Sequence, residues 1–251
     1  MPRKPRVASA SSIYHIVVRG LDRQVMFENE NDYLKYLEIL ELHKEECNFE
    51  LFAYCLMSNH VHLLIRVSDT PLSTIFKKIN THYAIWFNMK YQRTGHLQQE
   101  RYYSEPVEND SYFLSVLRYI HRNPVNAGLE KEVGKSYKWS SIYEYISDDS
   151  SLIDTKYALD IVFKDDLLNY INEDNDDVCM DVESMNKRIP DDVAKEIIFE
   201  ISSCQNSTEF QNLSMLDRKK HINAMYQRGI SIRQINRLTG ISKGIIQRAI
   251  C

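Results

Sequence analysis

Two histidines one residue apart, His60 and His62, interrupt the otherwise apolar stretch LMSNHVHLLI at residues 56–65. Alternate side chains of a strand point to the same face, so both imidazoles would lie on one side of a sheet. Residues two apart on a strand are separated by about 6.6 Å, which lets both rings bind one metal ion. Two solvated histidines on an outer sheet face fit the same pattern. The pair alone is therefore weak support for a metal site.

A tyrosine and an asparagine four residues apart form a second set of reactive groups. Residues 110–122 show helical spacing of apolar residues, and on such a helix Tyr119 and Asn123 are neighbours. The Asn123 amide oxygen could be a third, hard ligand, and a site of this kind suits Mg²⁺ or Mn²⁺. The Tyr119 phenol would then attack a phosphate that the metal polarises. Since the chain has 16 tyrosines, a boundary aromatic with no chemical role fits this spacing at least as well.

The elements that must position these groups can be predicted from the residue pattern. We expect strands at 13–18, 49–57 and 60–67, with a tight turn at Ser58 and Asn59. We expect helices at 31–46, 71–91 and 110–122, the last of which should stop at Asn123 and Pro124. A short extended piece is expected in the polar loop that follows the second helix. This order predicts an α+β domain with an antiparallel sheet and helices packed on it.

Charge is distributed unevenly along the 251 residues, although the net charge is only −4. Residues 148–200 contain 16 Asp and Glu against 5 Lys and Arg, whereas residues 217–251 contain 8 Lys and Arg against 1 acidic residue. A basic tail of this kind is typical of nucleic-acid contact. We therefore predict a first domain at 1–147, an acidic linker or loosely packed segment at 148–189 and a helical region at 190–251.

Several classes of protein fit the composition poorly. The five cysteines are scattered without a CxxC pair, so neither a disulfide framework nor a cysteine zinc site is indicated. No stretch approaches the ~18 apolar residues of a membrane helix. The basic N-terminus has no apolar segment behind it, unlike a secretory signal. We expect a soluble, cytoplasmic protein with no membrane partner.

Four separated segments resemble the REP-associated tyrosine transposases of the IS200-like superfamily, in type and in order. NHVHLLI is similar to the HUH motif (His, hydrophobic, His) of single-tyrosine nucleases, and YIHRNPVNAGL at 119–129 is similar to their tyrosine-bearing helix end. The opening MPRKPRVASASSIYHIVVRG and the segment RTGHLQQERYYSEPVE also match. The resemblance covers residues 1–147. One departure is Ser58, where many relatives have proline.

The resemblance implies a ferredoxin-like antiparallel sheet with flanking helices. It implies His60, His62 and Asn123 as ligands of Mg²⁺ or Mn²⁺, and Tyr119 as the nucleophile. The implied reaction is transesterification of single-stranded, hairpin-forming DNA through a 5′-phosphotyrosine bond, as in DNA transposition. A monomer and a homodimer are both compatible with the sequence.

The basic tail at 217–250 shows the pattern of a helix-turn-helix, with 241–250 as the recognition helix. Gly229 and Gly240 mark turns, and Ser231 and Ser242 are candidate N-caps. Duplex DNA is a further possible partner, although a basic protein-interaction domain fits the same pattern. The residues assigned to DNA contacts along the whole chain are Arg3, Lys4, Arg6, Arg19, Arg233, Lys243, Gln247 and Arg248.

Two alternative functions remain open on the sequence. The first is a sequence-specific DNA-binding regulator that uses the tail and has little or no nuclease activity. The second is a zinc hydrolase built on the histidine pair, for which no carboxylate ligand can be placed. Retention of His60, His62, Tyr119 and Asn123 together favours the transposase, because a regulator needs none of them.

Overall fold

The structure, a computed structural model, describes residues 6–99, 101–147, 151–173, 179–180 and 191–250. The chain divides into two compact units, Met1–Met180 and Asp181–Cys251. The elements of the first unit are β1 (Ile13–Arg19), α1 (Glu30–Cys47), β2 (Glu50–Met57), β3 (His60–Arg66), α2 (Leu72–Lys90), β4 (Tyr103–Pro106), α3 (Asp110–Asn126), α4 (Ile142–Ile146), α5 (Lys156–Ile161) and α6 (Lys164–Asn172).

The four strands form one antiparallel sheet in the order β2-β3-β1-β4. The chain order strand, helix, strand, strand, helix, strand is that of the ferredoxin-like arrangement. The expected tight turn at Ser58 and Asn59 is present, since Met57 pairs with His60 on either side of it. The predicted α+β fold with a ferredoxin-like antiparallel sheet and flanking helices is confirmed.

The strand register decides which side chains share a face of the sheet. His62 lies opposite Val17 and His60 lies opposite Arg19, so these four side chains point the same way. His15, two residues before Val17, belongs to this histidine face as well. The alternate residues of β1 and β3 are buried and apolar and form the other face: Ile16, Val18, Val61 and Leu63.

Helix α3 carries Tyr119 and continues through Pro124, so the expected stop at Asn123 and Pro124 is wrong. A proline inside a helix leaves the carbonyl four residues earlier, here that of Ile120, without its backbone donor. The Asn123 Nδ2 approaches this carbonyl oxygen at 3.4 Å and donates to the Tyr119 carbonyl at 2.8 Å. The side chain of Asn123 thus compensates locally for the proline. The helix begins at Asp110, as the pattern predicts, and its N-cap is Asn109, whose Oδ1 accepts a hydrogen bond from the Tyr112 amide.

Helix α3 is anchored to the sheet by Phe113, which is fully buried. Its ring lies 5.2 Å from that of Phe52 on β2 and 4.9 Å from that of Tyr157 on α5, both edge to face. We expect Phe113→Ala to lower the free energy of unfolding of the first unit by about 3–5 kcal/mol, because it leaves a cavity. Denaturant titration followed by tryptophan fluorescence measures this, since both tryptophans, Trp86 and Trp139, belong to this unit.

The control for this prediction is Leu34→Ala on α1, at a side chain that is 55% exposed. Removing exposed apolar atoms should change the unfolding free energy by no more than about 0.5 kcal/mol. An equal loss of unfolding free energy in both variants would mean that the contacts of Phe113 with Phe52 and Tyr157 do not hold α3 to the sheet.

The acidic segment is not loosely packed where the structure describes it, which corrects the expectation for residues 151–173. Most of its apolar side chains belong to the core of the first unit, and one of its acids, Asp154, is tied to that unit. Asp154 accepts a hydrogen bond from the Leu51 amide at 2.8 Å and forms an ion pair with Lys44 at 2.8 Å. The division of the chain at 147 and 189 stays a prediction. The buried residues are Leu152, Ile153, Ala158, Leu167 and Ile171.

The second unit is helical in its described part, with α7 (Asp191–Ser202), α8 (Ser207–Asn212), α9 (Met215–Gln227), α10 (Ile232–Thr239) and α11 (Lys243–Ile250). Ser231 caps α10 as expected, and Gly240, at φ 70°, makes the left-handed turn toward α11. Ile246 is buried in the small core of this unit, whereas its neighbour Ile245 is 45% exposed. Among the described residues, no helix has the length and apolarity needed to cross a membrane.

Candidate active site

The two histidines of β3 lie side by side on the histidine face, with ring centroids 5.0 Å apart. His62 is fully buried and His60 is half-buried. The His60 Nδ1 lies 2.6 Å from the Asn59 Oδ1, and the His62 Nδ1 lies 3.1 Å from the His15 Nε2. Because an amide oxygen only accepts hydrogen bonds, this bond requires the His60 hydrogen on Nδ1, which in a neutral ring leaves the lone pair on Nε2. Each of the two histidines is thus held through Nδ1.

His15 is a third histidine of this site, and the sequence analysis did not identify it. It is fully buried on β1, and its ring stacks on that of His62 with centroids 5.3 Å apart and planes inclined by 26°. The available signal was a histidine inside the apolar strand IYHIVV, where an ionisable side chain needs a partner.

Burial keeps His15 and His62 uncharged at neutral pH. Desolvation lowers the pKa of His15 to about 3. The pKa of His62 is lowered well below its ordinary value, by burial first and then by the neighbouring His60 and His15. A neutral imidazole has one nitrogen lone pair, which is the form that binds a metal ion.

Tyr119 is brought to the histidines by α3, on which it is half-buried. Its ring lies 5.6 Å from that of His62 and 5.8 Å from that of His15, edge to face in both cases. A phenol therefore stands in edge-to-face contact with two neutral imidazoles, next to the half-buried His60. The roles assigned to these residues from the sequence stay predictions.

Asn123 lies one helical turn after Tyr119. The hydrogen bonds of its Nδ2 to α3 carbonyls hold the amide in place and do not use Oδ1, the atom that a hard metal ion would bind. The His62 Nε2 is a buried polar atom without a hydrogen-bond partner in the described structure. These two observations fit a metal site with two imidazole nitrogens and one amide oxygen. Within the described residues, no group of three or more His, Cys, Asp and Glu side chains is arranged to hold a metal.

The residues assigned to DNA contacts differ in how exposed they are and in what they contact. Arg19 is on the histidine face and only 6% exposed, so it belongs to the site and not to the outer surface. Arg6 donates to the Tyr102 carbonyl at 3.2 Å, and its guanidinium lies 3.7 Å over the Tyr102 ring. Arg3 and Lys4 lie outside the described residues. In the second unit, Arg233, Lys243 and Arg248 are exposed and Gln247 is half-buried.

The first part of the chain is similar in sequence to known transposases. The transposase IS200-like family matches residues 8–123, a range that includes the histidine pair, Tyr119 and Asn123. A Haemophilus influenzae protein described as a REP-associated tyrosine transposase is 28% identical over 127 residues, which are 45% of this chain and 70% of that protein.

The fold is also similar to a solved structure of a REP-associated tyrosine transposase bound to a REP hairpin. The TM-score is 0.54 at 17% identity, and the match covers 75% of this chain and 99% of that one. At this identity the likeness concerns the fold alone. Residues 8–123 thus match the IS200-like transposase family, whose members are DNA-processing enzymes, and the REP-associated tyrosine transposases are among the proteins that the chain resembles.

Proposed function

We propose that the first unit cleaves and rejoins single-stranded DNA with Tyr119 as nucleophile, with the aid of a divalent metal ion, in a transposition reaction. The observation that carries the proposal is the position of the Tyr119 ring against His62 and His15, beside an orphaned imidazole nitrogen. A DNA-binding regulator would not need a phenol, two neutral imidazoles and a fixed amide in one place.

The proposed reaction is a transesterification. The Tyr119 phenol loses its proton and its Oη forms a bond to phosphorus, while the bond from phosphorus to the 3′ oxygen breaks. The leaving 3′ oxygen takes up a proton and becomes a hydroxyl, and the 5′ phosphate stays linked to the protein. Attack by the same or another 3′-hydroxyl reverses these steps, so joining requires no ATP.

His60, His62 and Asn123 would hold the metal ion, Mg²⁺ or Mn²⁺. When bound, the ion supplies charge stabilisation at the phosphate oxygens. The residues of the chain orient the reacting groups, since strand β3 and helix α3 hold imidazole and phenol in van der Waals range of each other. Arg19 lies on the same sheet face and could add a positive charge near the phosphate.

The proposed substrate is a hairpin-forming single strand. Its support is the relative with a similar fold, which was solved bound to a REP hairpin. A strand that is unpaired at the cleaved phosphate bends more easily than a stiff duplex, which helps it to reach the half-buried Tyr119.

The test is to incubate the full chain with a labelled pool of hairpin-bearing DNA strands and Mn²⁺ or Mg²⁺, then to run a denaturing gel. We expect a protein–DNA adduct that survives denaturation, and no adduct when EDTA is added. Binding of the strands without an adduct on any of them would favour the regulator instead.

We further propose that the second unit binds DNA through α10 and α11. Three observations support this: the Ser231 cap, the left-handed turn at Gly240 and the exposure of Lys243 and Arg248 on α11. Two short helices joined by a tight turn, with basic side chains on the second, are typical of helix-turn-helix readers of duplex DNA.

We expect the double variant Lys243→Gln, Arg248→Gln to weaken duplex binding and to make it less dependent on salt. The slope of log K against log salt is negative, and each phosphate contact that is lost makes it less steep by about 0.9. Fluorescence anisotropy at several salt concentrations measures both effects. Lys195→Gln, an exposed lysine on α7 of the same unit, is the matched control. An equal loss in the control would indicate general charge attraction instead of a contact made by α11.

A further inference from the structure

The hydrogen bond between His15 and His62 joins two fully buried imidazoles across neighbouring strands. His15 lies diagonally opposite His62, because the direct partner of His62 in the register is Val17. The two rings also stack at 5.3 Å, so the position of each restricts the other. A chain does not need a second buried imidazole here for packing alone, since an apolar residue would fill the same space without a polar atom to satisfy.

Only one hydrogen is available between the His15 Nε2 and the His62 Nδ1 when both rings are neutral. If His62 donates it, the lone pair of His62 lies on Nε2. If His15 donates it, the His62 Nε2 carries a hydrogen and has no lone pair for a metal ion. The direction of this one hydrogen bond therefore decides whether His62 can be a ligand.

Two atoms at the ends of this pair have no hydrogen-bond partner in the described structure, the His15 Nδ1 and the His62 Nε2. In both directions of the hydrogen bond, one of these atoms is an N–H and the other is a lone pair. The two directions thus leave equal numbers of groups unsatisfied. A positive ion at the His62 Nε2 satisfies its lone pair and makes donation by His62 the favoured arrangement. The His62 ring lies 5.0 Å from that of His60 and 5.6 Å from that of Tyr119.

We propose that His15 is a positioning residue, which accepts a hydrogen bond from the His62 Nδ1 and so holds the His62 Nε2 lone pair ready for the metal ion. The inference rests on the proposed function, since it presumes that His62 is a metal ligand. His15 itself touches neither metal nor DNA. The arrangement parallels that of His60, whose Nδ1 is held by the Asn59 Oδ1. Such outer partners fix the ring orientation and tautomer of metal-binding histidines.

The first test is nitrogen NMR of the wild-type full chain with saturating Mg²⁺, a diamagnetic ion, in which long-range proton–nitrogen correlations distinguish the two tautomers of each histidine. We expect His62 to carry its hydrogen on Nδ1 when Mg²⁺ is present. A His62 hydrogen on Nε2 in that sample would overturn the proposal. This readout does not depend on cleavage activity.

The second test is Mn²⁺ binding, measured from the electron paramagnetic resonance signal of the free ion. His15→Leu keeps an apolar side chain of similar size and removes the acceptor, so we expect about 10- to 100-fold weaker binding. His15→Gln can place an amide oxygen near the position of the former Nε2. Because this oxygen can still accept the hydrogen bond from His62, the Mn²⁺ affinity should stay within about threefold of wild type. His121→Leu removes another fully buried imidazole, bonded to Ser141, and should bind Mn²⁺ as wild type does.

The outcomes separate this inference from the proposed function. Wild-type affinity in His15→Leu, with Mn²⁺ bound normally by the wild-type chain, would overturn the role of His15 and leave the metal site intact. No Mn²⁺ binding by the wild-type chain would overturn the metal site itself. A weakened His15→Leu that His15→Gln does not restore would also count against the proposal, since the loss would then not reflect the hydrogen bond.

Discussion

Replacing Tyr119 by phenylalanine is expected to abolish the covalent protein–DNA adduct, with a loss of at least about 1000-fold, because it removes the attacking oxygen. The aromatic ring is kept, so its edge-to-face contacts with His62 and His15 should persist. DNA affinity and Mn²⁺ affinity should therefore stay close to wild type. Adduct yield on denaturing gels and anisotropy on the same strand measure the two quantities.

Tyr112→Phe is the matched control, since Tyr112 is half-buried on the same helix, two turns before Tyr119. It should form the adduct at the wild-type rate. If Tyr119→Phe still formed the adduct, another of the 16 tyrosines would be the nucleophile. If both variants lost the adduct together, a disturbed α3 would explain the result better than a missing nucleophile.

Replacing His62 by alanine is expected to weaken Mn²⁺ binding by at least about 100-fold and to remove cleavage in parallel, because a metal ligand is lost. Excess Mn²⁺ should restore part of the cleavage, which it cannot do in Tyr119→Phe. Since His62 is fully buried, His62→Gln serves as a second variant with a smaller change in volume. Tryptophan fluorescence during unfolding shows whether each variant is folded.

His121→Gln is the control for this pair of variants, because His121 is also fully buried but is bonded to Ser141, outside the histidine face. It should retain both Mn²⁺ binding and cleavage. Full cleavage by His62→Ala at low Mn²⁺ would contradict the assignment of His62 as a ligand.

The features of the fold that could be predicted from sequence are those with local signals. The runs of β-branched and apolar residues in β1 and β3 and the turn at Ser58 and Asn59 are signals from near neighbours in the chain. Pro124 misled the prediction because the Asn123 side chain, and not the backbone, approaches the freed carbonyl. The acidic segment misled it because charge counts do not show that Asp154 has partners on β2 and α1.

The candidate site, too, could be predicted only where its residues are close to one another in the sequence. Tyr119 and Asn123 could be paired from their spacing on one helix, and His60 and His62 from their spacing on one strand. The contact of His15 with His62 spans 47 residues of sequence and depends on the register between β1 and β3. A shift by one residue would turn His15 to the opposite face. No local pattern fixes that register, so the position of His15 inside an apolar strand indicates a partner but does not identify His62 as that partner.

The central claim is that Tyr119 becomes linked to the 5′ phosphate at the cleaved bond. The most direct measurement uses one hairpin-bearing strand labelled at its 5′ end in one reaction and at its 3′ end in another. We expect the 3′-labelled fragment to migrate with the protein and the 5′-labelled fragment to run free with a 3′-hydroxyl. Peptide mass analysis should place the attached nucleotide on Tyr119. A 5′-labelled fragment bound to the protein, or two free fragments with no adduct, would contradict the account.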